Sequence, residues 1–258
     1  MKTVIAALGL GIALASAGCT TTSTGPNSTD REASPHEAAT YNAQLAIAYM
    51  RQGNLAMAQE KIDRALDQDA NNASVQTAAG LLYERLGDDR KAESHYAAAM
   101  RIKPDDPDVL NYYGVYLCRN GRAKDGEKLI LKAARNPVYQ TPEMAYNNAG
   151  LCMRNAGKLD EAEKHFQQAL ALKPKFGDAL LQLADLTFER GRMTDAQALV
   201  QRYLGTQPAN AQILWIGVRV ERTLGNRASA DAYAKRLKSE FPKTEQTRAL
   251  LASERQSG

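Results

Sequence analysis

The sequence has little of what most active sites are built from. Three histidines and three cysteines are scattered over 258 residues. No carboxylate or cysteine is spaced to complete a metal site with His36, His95 or His165. There is no glycine-rich phosphate loop and no nucleophile elbow. Aromatic residues are only 6 % of the chain, and β-branched residues are sparse between the ends, which disfavours strands. No strong charge of one sign is present either. Net charge is +4, without the concentrated basic stripe that a nucleic-acid partner usually needs. An enzyme would need a pocket on an added domain, for which the chain leaves no room. The expectation is therefore a helical binding protein, with no cofactor, no small-molecule substrate and no nucleic-acid partner.

Long apolar runs are missing too. Val4 to Ala17 is apolar but, at about 14 residues, too short to span a bilayer as a helix. Behind Lys2 it has the length of a signal-peptide core, giving a signal peptide over 1–18. Two cleavage readings fit. Ala15-Ser16-Ala17 suits ordinary signal peptidase. Ser16-Ala17-Gly18-Cys19 resembles a lipobox, which would leave Cys19 acylated as the first residue, although Ser16 stands where leucine is usual. Residues 19–36 then read as a flexible tether. The stretch TTTSTGPNSTDREASP has almost nothing to bury and would reach roughly 50 Å when extended at about 3.3 Å per residue. Thr20 directly after Cys19, in place of Asp, resembles the bacterial signal for export to the outer membrane.

What is abundant is alanine and leucine in a repeating pattern. Gly53, Gly87, Gly121, Gly157, Gly191 and Gly225 are separated by 34, 34, 36, 34 and 34 residues. A period of 34 is that of the tetratricopeptide repeat, a helix-turn-helix unit. Each glycine ends a first helix, where a left-handed backbone is wanted. Small residues twelve apart, such as Gly80 with Ala92 and Gly150 with Ala162, let the two helices cross closely. Pro104, Pro174, Pro208 and Pro242 close second helices. The fold class expected is all-α: a solenoid of six such repeats over 37–242, with first helices starting near 39, 73, 107, 143, 177 and 211. A capping helix follows over 243–258, begun by Thr244 and covering the core end with Leu250 and Leu251. Gly126 inside a second helix is a departure, costing about 1 kcal/mol relative to Ala. A two-residue insertion falls around Asn136 to Pro142.

In this repeat the first helices face a concave groove. The expected lining includes Ile47, Met50, Leu81, Asn111, Val115, Asn147 and Leu151, an apolar row with two amides near its middle. The amides have two readings, a clamp on a partner's backbone or hydrogen bonds between adjacent helices. Cys118 and Cys152 fall on neighbouring first helices, as a disulfide or as two small buried thiols. His95 and His165 share a repeat position and read as solvated surface residues.

Several strings are more specific than the repeat itself. They are Val109-Leu110-Asn111-Tyr112-Tyr113-Gly114, Leu117-Cys118-Arg119-Asn120-Gly121-Arg122, the inserted Tyr139-Gln140-Thr141-Pro142-Glu143, Asn148-Ala149-Gly150-Leu151-Cys152 and Ala162-Glu163-Lys164-His165-Phe166. With the lipobox-like start, this resembles the type IV pilus biogenesis and stability lipoproteins, PilF/PilW, over roughly residues 37 to 250. The resemblance implies an outer-membrane lipoprotein on the periplasmic face that acts as a pilotin. Its partner would be the type IV pilus secretin, which it helps to reach the outer membrane and form a ring. The competing readings are a repeat lipoprotein of outer-membrane protein assembly and an activator of a cell-wall enzyme.

Overall fold

A computed structural model describes residues 34–256. The expected signal peptide over 1–18, the acylated Cys19 and the tether up to residue 33 lie outside the described residues. Within them there are thirteen α-helices and no strand. Six antiparallel pairs follow one another: α1 (Pro35–Arg51) with α2 (Leu55–Asp69), α3 (Ala73–Arg85) with α4 (Asp89–Ile102), α5 (Pro107–Arg119) with α6 (Ala123–Ala134), α7 (Pro142–Asn155) with α8 (Leu159–Leu172), α9 (Gly177–Glu189) with α10 (Met193–Leu204), and α11 (Ala211–Thr223) with α12 (Arg227–Glu240). A final helix, α13 (Glu245–Gln256), packs on α11 and α12.

The first helix starts earlier than the sequence spacing suggests. Ser34 caps α1, and Glu37 reaches back to the Ser34 backbone, a reciprocal pair that fixes the start at Pro35. Residues 34–36, assigned above to the tether, therefore belong to the helical array. The other five first helices start within a residue of the expected positions.

The six register glycines all have φ between 74° and 78°, the left-handed conformation. Nothing lies within 4 Å of where a Cβ would stand on any of them, so conformation and not space selects glycine there. In each turn the residue after the glycine donates its N–H to the carbonyl five residues back, as in Asp88 to Tyr83 and Lys158 to Met153. Asn54, Asn72, Asp88, Asp106 and Asn210 accept backbone N–H bonds at the starts of the following helices.

Packing within each pair relies on a small residue facing a large one. The Tyr96 ring lies against Gly80 and the Phe166 ring against Gly150, and both rings are fully buried. Burying such a side chain contributes about 1.5–3 kcal/mol. The backbones of neighbouring first helices approach closely along the whole array, whereas those of neighbouring second helices stay farther apart. The first helices therefore form the inner, concave wall. At the far end Leu250 is buried in the core, but Leu251 is 43 % exposed and does not share in covering it. The lid is completed instead by Thr247, whose hydroxyl donates to the Phe241 carbonyl at 2.7 Å.

Candidate binding groove

Ile47, Leu81, Val115 and Leu151 hold one register position on α1, α3, α5 and α7, so a single row of side chains crosses the concave wall. Two adjoining cavities of about 260 and 230 Å³ lie over the first three repeats. Ile47, Leu81 and Tyr112 line both of them. Val115, Asn111, Asn148 and Met144 line the second, and Met144 is 46 % exposed. Each first helix reaches the groove with the same face because 34 residues, with the turns held alike, restore its orientation.

The remaining expected residues are placed differently. Met50 is 4 % exposed and sits in the core of the first two repeats, so it does not line the groove. Its flexible apolar chain turns inward, whereas Glu84, at the same register position, keeps a carboxylate at the rim. Asn111 accepts a hydrogen bond from the Asn148 Nδ2 at 3.1 Å, which joins α5 to α7. That is the interhelical reading of this amide. Asn147 is 6 % exposed, with its Oδ1 buried and without a partner among the described residues. Asn148, one residue on, is the amide that lines the cavity. Leu151 is half-buried against the core of the later repeats.

Past repeat four the row changes character. The next two register positions hold Asp185 and Arg219. Arg154 donates to Gln182 at 3.1 Å, Asp185 at 2.8 Å and Glu189 at 2.5 Å, while Arg219 reaches the other oxygen of Asp185 at 3.1 Å. The Arg219 guanidinium also lies 4.4 Å from the Phe188 ring and 5.5 Å from the Trp215 ring. Counting the 34-residue period onward from Leu151 finds both charged residues. They escape a search that follows apolar side chains alone.

Cys118 and Cys152 form a disulfide, with Cα atoms 5.4 Å apart. It ties α5 to α7, three residues beyond Val115 and next to Leu151, so it fastens two helices of the row together. Gly126 on α6 makes room for it. A Cβ there would overlap the Cys118 Sγ and stand 2.5 Å from the Gly114 carbonyl.

His36 is exposed, as expected, but His95 and His165 are not solvated surface residues. His165 is buried, with Glu127 2.7 Å from one ring nitrogen and Gln168 3.1 Å from the other. His95 stacks on Tyr83 and bonds Gln76 at 2.7 Å, and burial holds its imidazole below the usual range. His95 thus joins α4 to α3, and His165 joins α8 to α6. Among the described residues no group of three or more metal-ligating side chains converges.

Tetratricopeptide-repeat family models match residues 44–107, 77–143, 114–175 and 154–214. The crystal structure of PilW, a widely conserved type IV pilus biogenesis factor, is 30 % identical with a TM-score of 0.73, covering 83 % of this chain and 98 % of that one. The chain belongs to the tetratricopeptide-repeat proteins of the PilF/PilW family. Type IV pilus assembly protein PilF of Pseudomonas aeruginosa is 26 % identical over 241 residues, 93 % of this chain and 95 % of that protein. The structure of Pseudomonas aeruginosa PilF shares the fold at 23 % identity, with a TM-score of 0.71. The resemblance to PilF/PilW therefore extends over the whole repeat array.

Proposed function

We propose that this PilF/PilW relative acts in type IV pilus assembly as a pilotin, anchored to the outer membrane through acylated Cys19. It binds the pilus secretin, brings it to the outer membrane and promotes its ring assembly, and it carries out no catalysis. The observation that carries the reading is the apolar row Ile47, Leu81 and Val115 beneath two open cavities on the concave wall. Contiguous exposed apolar surface marks interaction sites. Apolar anchors supply affinity, and a central one should cost about 2 kcal/mol or more when truncated.

The test is Leu81→Glu and Val115→Glu, made singly. Both side chains are only partly buried, so each variant is expected to keep parental helicity by circular dichroism. Each is expected to lose capture of detergent-solubilised secretin and to reduce ring assembly. Parental binding by both folded variants would move the site off the groove. The inserted loop would then be examined, where Val138 is 67 % exposed.

A further inference from the structure

The groove is zoned along its helices as well as across them. α1, α3 and α5 run in the same direction as the first members of successive repeats. Each opens on polar groups that line the first cavity, such as Thr40, Ser74 and Asp106. The middle carries Ile47, Leu81 and Val115. Each then ends on an exposed arginine, Arg51, Arg85 and Arg119, and all three line the second cavity. Only Arg119 is neutralised within the groove, by Glu84 at 2.8 Å. Arg51 and Arg85 form no ion pair among the described residues.

A bland account of these arginines is that cations favour helix C-termini. That account covers a basic residue in the last turn of five of the six first helices, Arg154 and Arg222 included, but not the register position it takes. At the same register position repeats four, five and six carry Asn155, Glu189 and Thr223. At this register position arginine is thus confined to the first three repeats, which line the cavities together with Met144 and Asn148 of α7. At the opposite end burial, and after it the neighbouring Asp106, hold the Asp108 carboxyl above its usual range.

We infer that this groove selects its occupant by charge polarity: it takes a segment with an apolar middle and acidic side chains at the end that meets Arg51, Arg85 and Arg119. From Ser74 to Arg85 the wall is eleven residues long, about 16 Å at 1.5 Å per residue. The occupant is therefore about three helical turns, or an extended stretch of about five residues at 3.3 Å each. It lies along α3, because only that direction crosses the polar, apolar and basic zones in turn. The inference rests on the groove being the binding face and adds the chemistry of what enters it.

The probe is a displayed library of random peptides of about 12 residues, selected against the full chain. Selected peptides are expected to place Asp or Glu at one end of an apolar core. Selection against the double variant Arg51→Glu with Arg85→Glu is expected to exchange those acids for Lys or Arg. Arg51→Gln with Arg85→Gln, a milder pair for which circular dichroism confirms the fold, should erase the preference. No enrichment, no charge bias, or the same acidic bias on the reversed variant would overturn the inference.

A second arm separates it from the pilotin reading. Capture of purified secretin by the charge-reversed variant is expected to fall at least about tenfold near 50 mM salt and less than about threefold near 500 mM, since screening shortens the reach of exposed charges. If Leu81→Glu abolishes capture while charge reversal changes nothing, the groove stands and its polarity falls. If the parent captures no secretin but the peptides show the acidic end, the secretin reading falls and the polarity stands.

Discussion

The space that a Cβ on Gly126 would take is already filled by the Sγ of Cys118. A glycine that looks like a flaw in α6 is thus the partner of a disulfide on the neighbouring helix. Alanine is preferred over glycine in a helix by about 1 kcal/mol, but overpacking costs about 1–3 kcal/mol. The Gly114 carbonyl, 2.5 Å from the same point, is backbone and cannot rotate away. Gly126→Ala is expected to lower stability by up to about 2 kcal/mol, read as a lower urea midpoint. A raised midpoint would mean that α5 and α6 can separate without loss.

The disulfide joins residues 34 apart. Closing a loop of that size in the unfolded chain is worth roughly 3–4 kcal/mol in the chain-entropy account. Urea unfolding with and without reductant should show a difference of that order. Non-reducing peptide mapping of protein taken from the periplasm should recover the Cys118–Cys152 linkage. Two free thiols in that material would contradict it.

Gly157→Ala tests the other use of glycine. Its φ is 74° and a Cβ would meet nothing within 4 Å, so the whole cost is conformational. A loss of about 1–2 kcal/mol is expected for an L-residue held left-handed. Gly157→Asn should lose less, because asparagine tolerates that region better. Equal losses for the two would point to packing instead.

The start of α1 is pH-sensitive. Hydrogen bonds from the Ser34 backbone and hydroxyl hold the Glu37 carboxyl below its usual range, with burial acting slightly against them. A carboxyl depressed in the folded state adds stability above its unfolded pKa and loses it as pH falls through the folded value. The first turn should therefore fray in acid, below the ordinary carboxylate range. Following Glu37 by NMR titration should show a depressed midpoint that Ser34→Ala raises only in part, because the larger contribution, the backbone N–H of residue 34, remains. An unchanged midpoint in Ser34→Ala would rule out the hydroxyl's share in it.

Cys19→Ser addresses the anchor. The expected result is a chain that unfolds thermally like the parent but no longer enters the detergent phase, with the secretin mislocalised. Intact-mass analysis of the mature parent decides the chemistry. A chain beginning at Gly18 without fatty acid would exclude acylation.

Much of the architecture is legible because the repeat states the same constraint six times. Glycine at each turn and a small residue at each crossing have no substitute of equal freedom or size. The start of α1 is legible in the serine and glutamate three residues apart at 34 and 37, whereas repeat spacing alone points to residue 39. The groove is legible only where register decides it. Ile47, Leu81 and Val115 follow from period alone. Met50 and Asn147 do not, because residues at the same register positions, Glu84 and Asn111, line the cavity while these two turn into the packing. Cys118 and Cys152 fall on adjacent helices by count. Their separation depends on how α5 meets α7, which no period specifies. His165 escapes for a similar reason: its burial comes from Glu127, 38 residues away.

The ladder of Arg154, Asp185 and Arg219 gives the concave wall a natural terminus. Its charges already satisfy one another, so a visiting chain that advanced over them would have to strip a settled ion pair of its partners without offering better ones. The apolar row is thereby fenced off past repeat four, where the wall offers charges that are already paired.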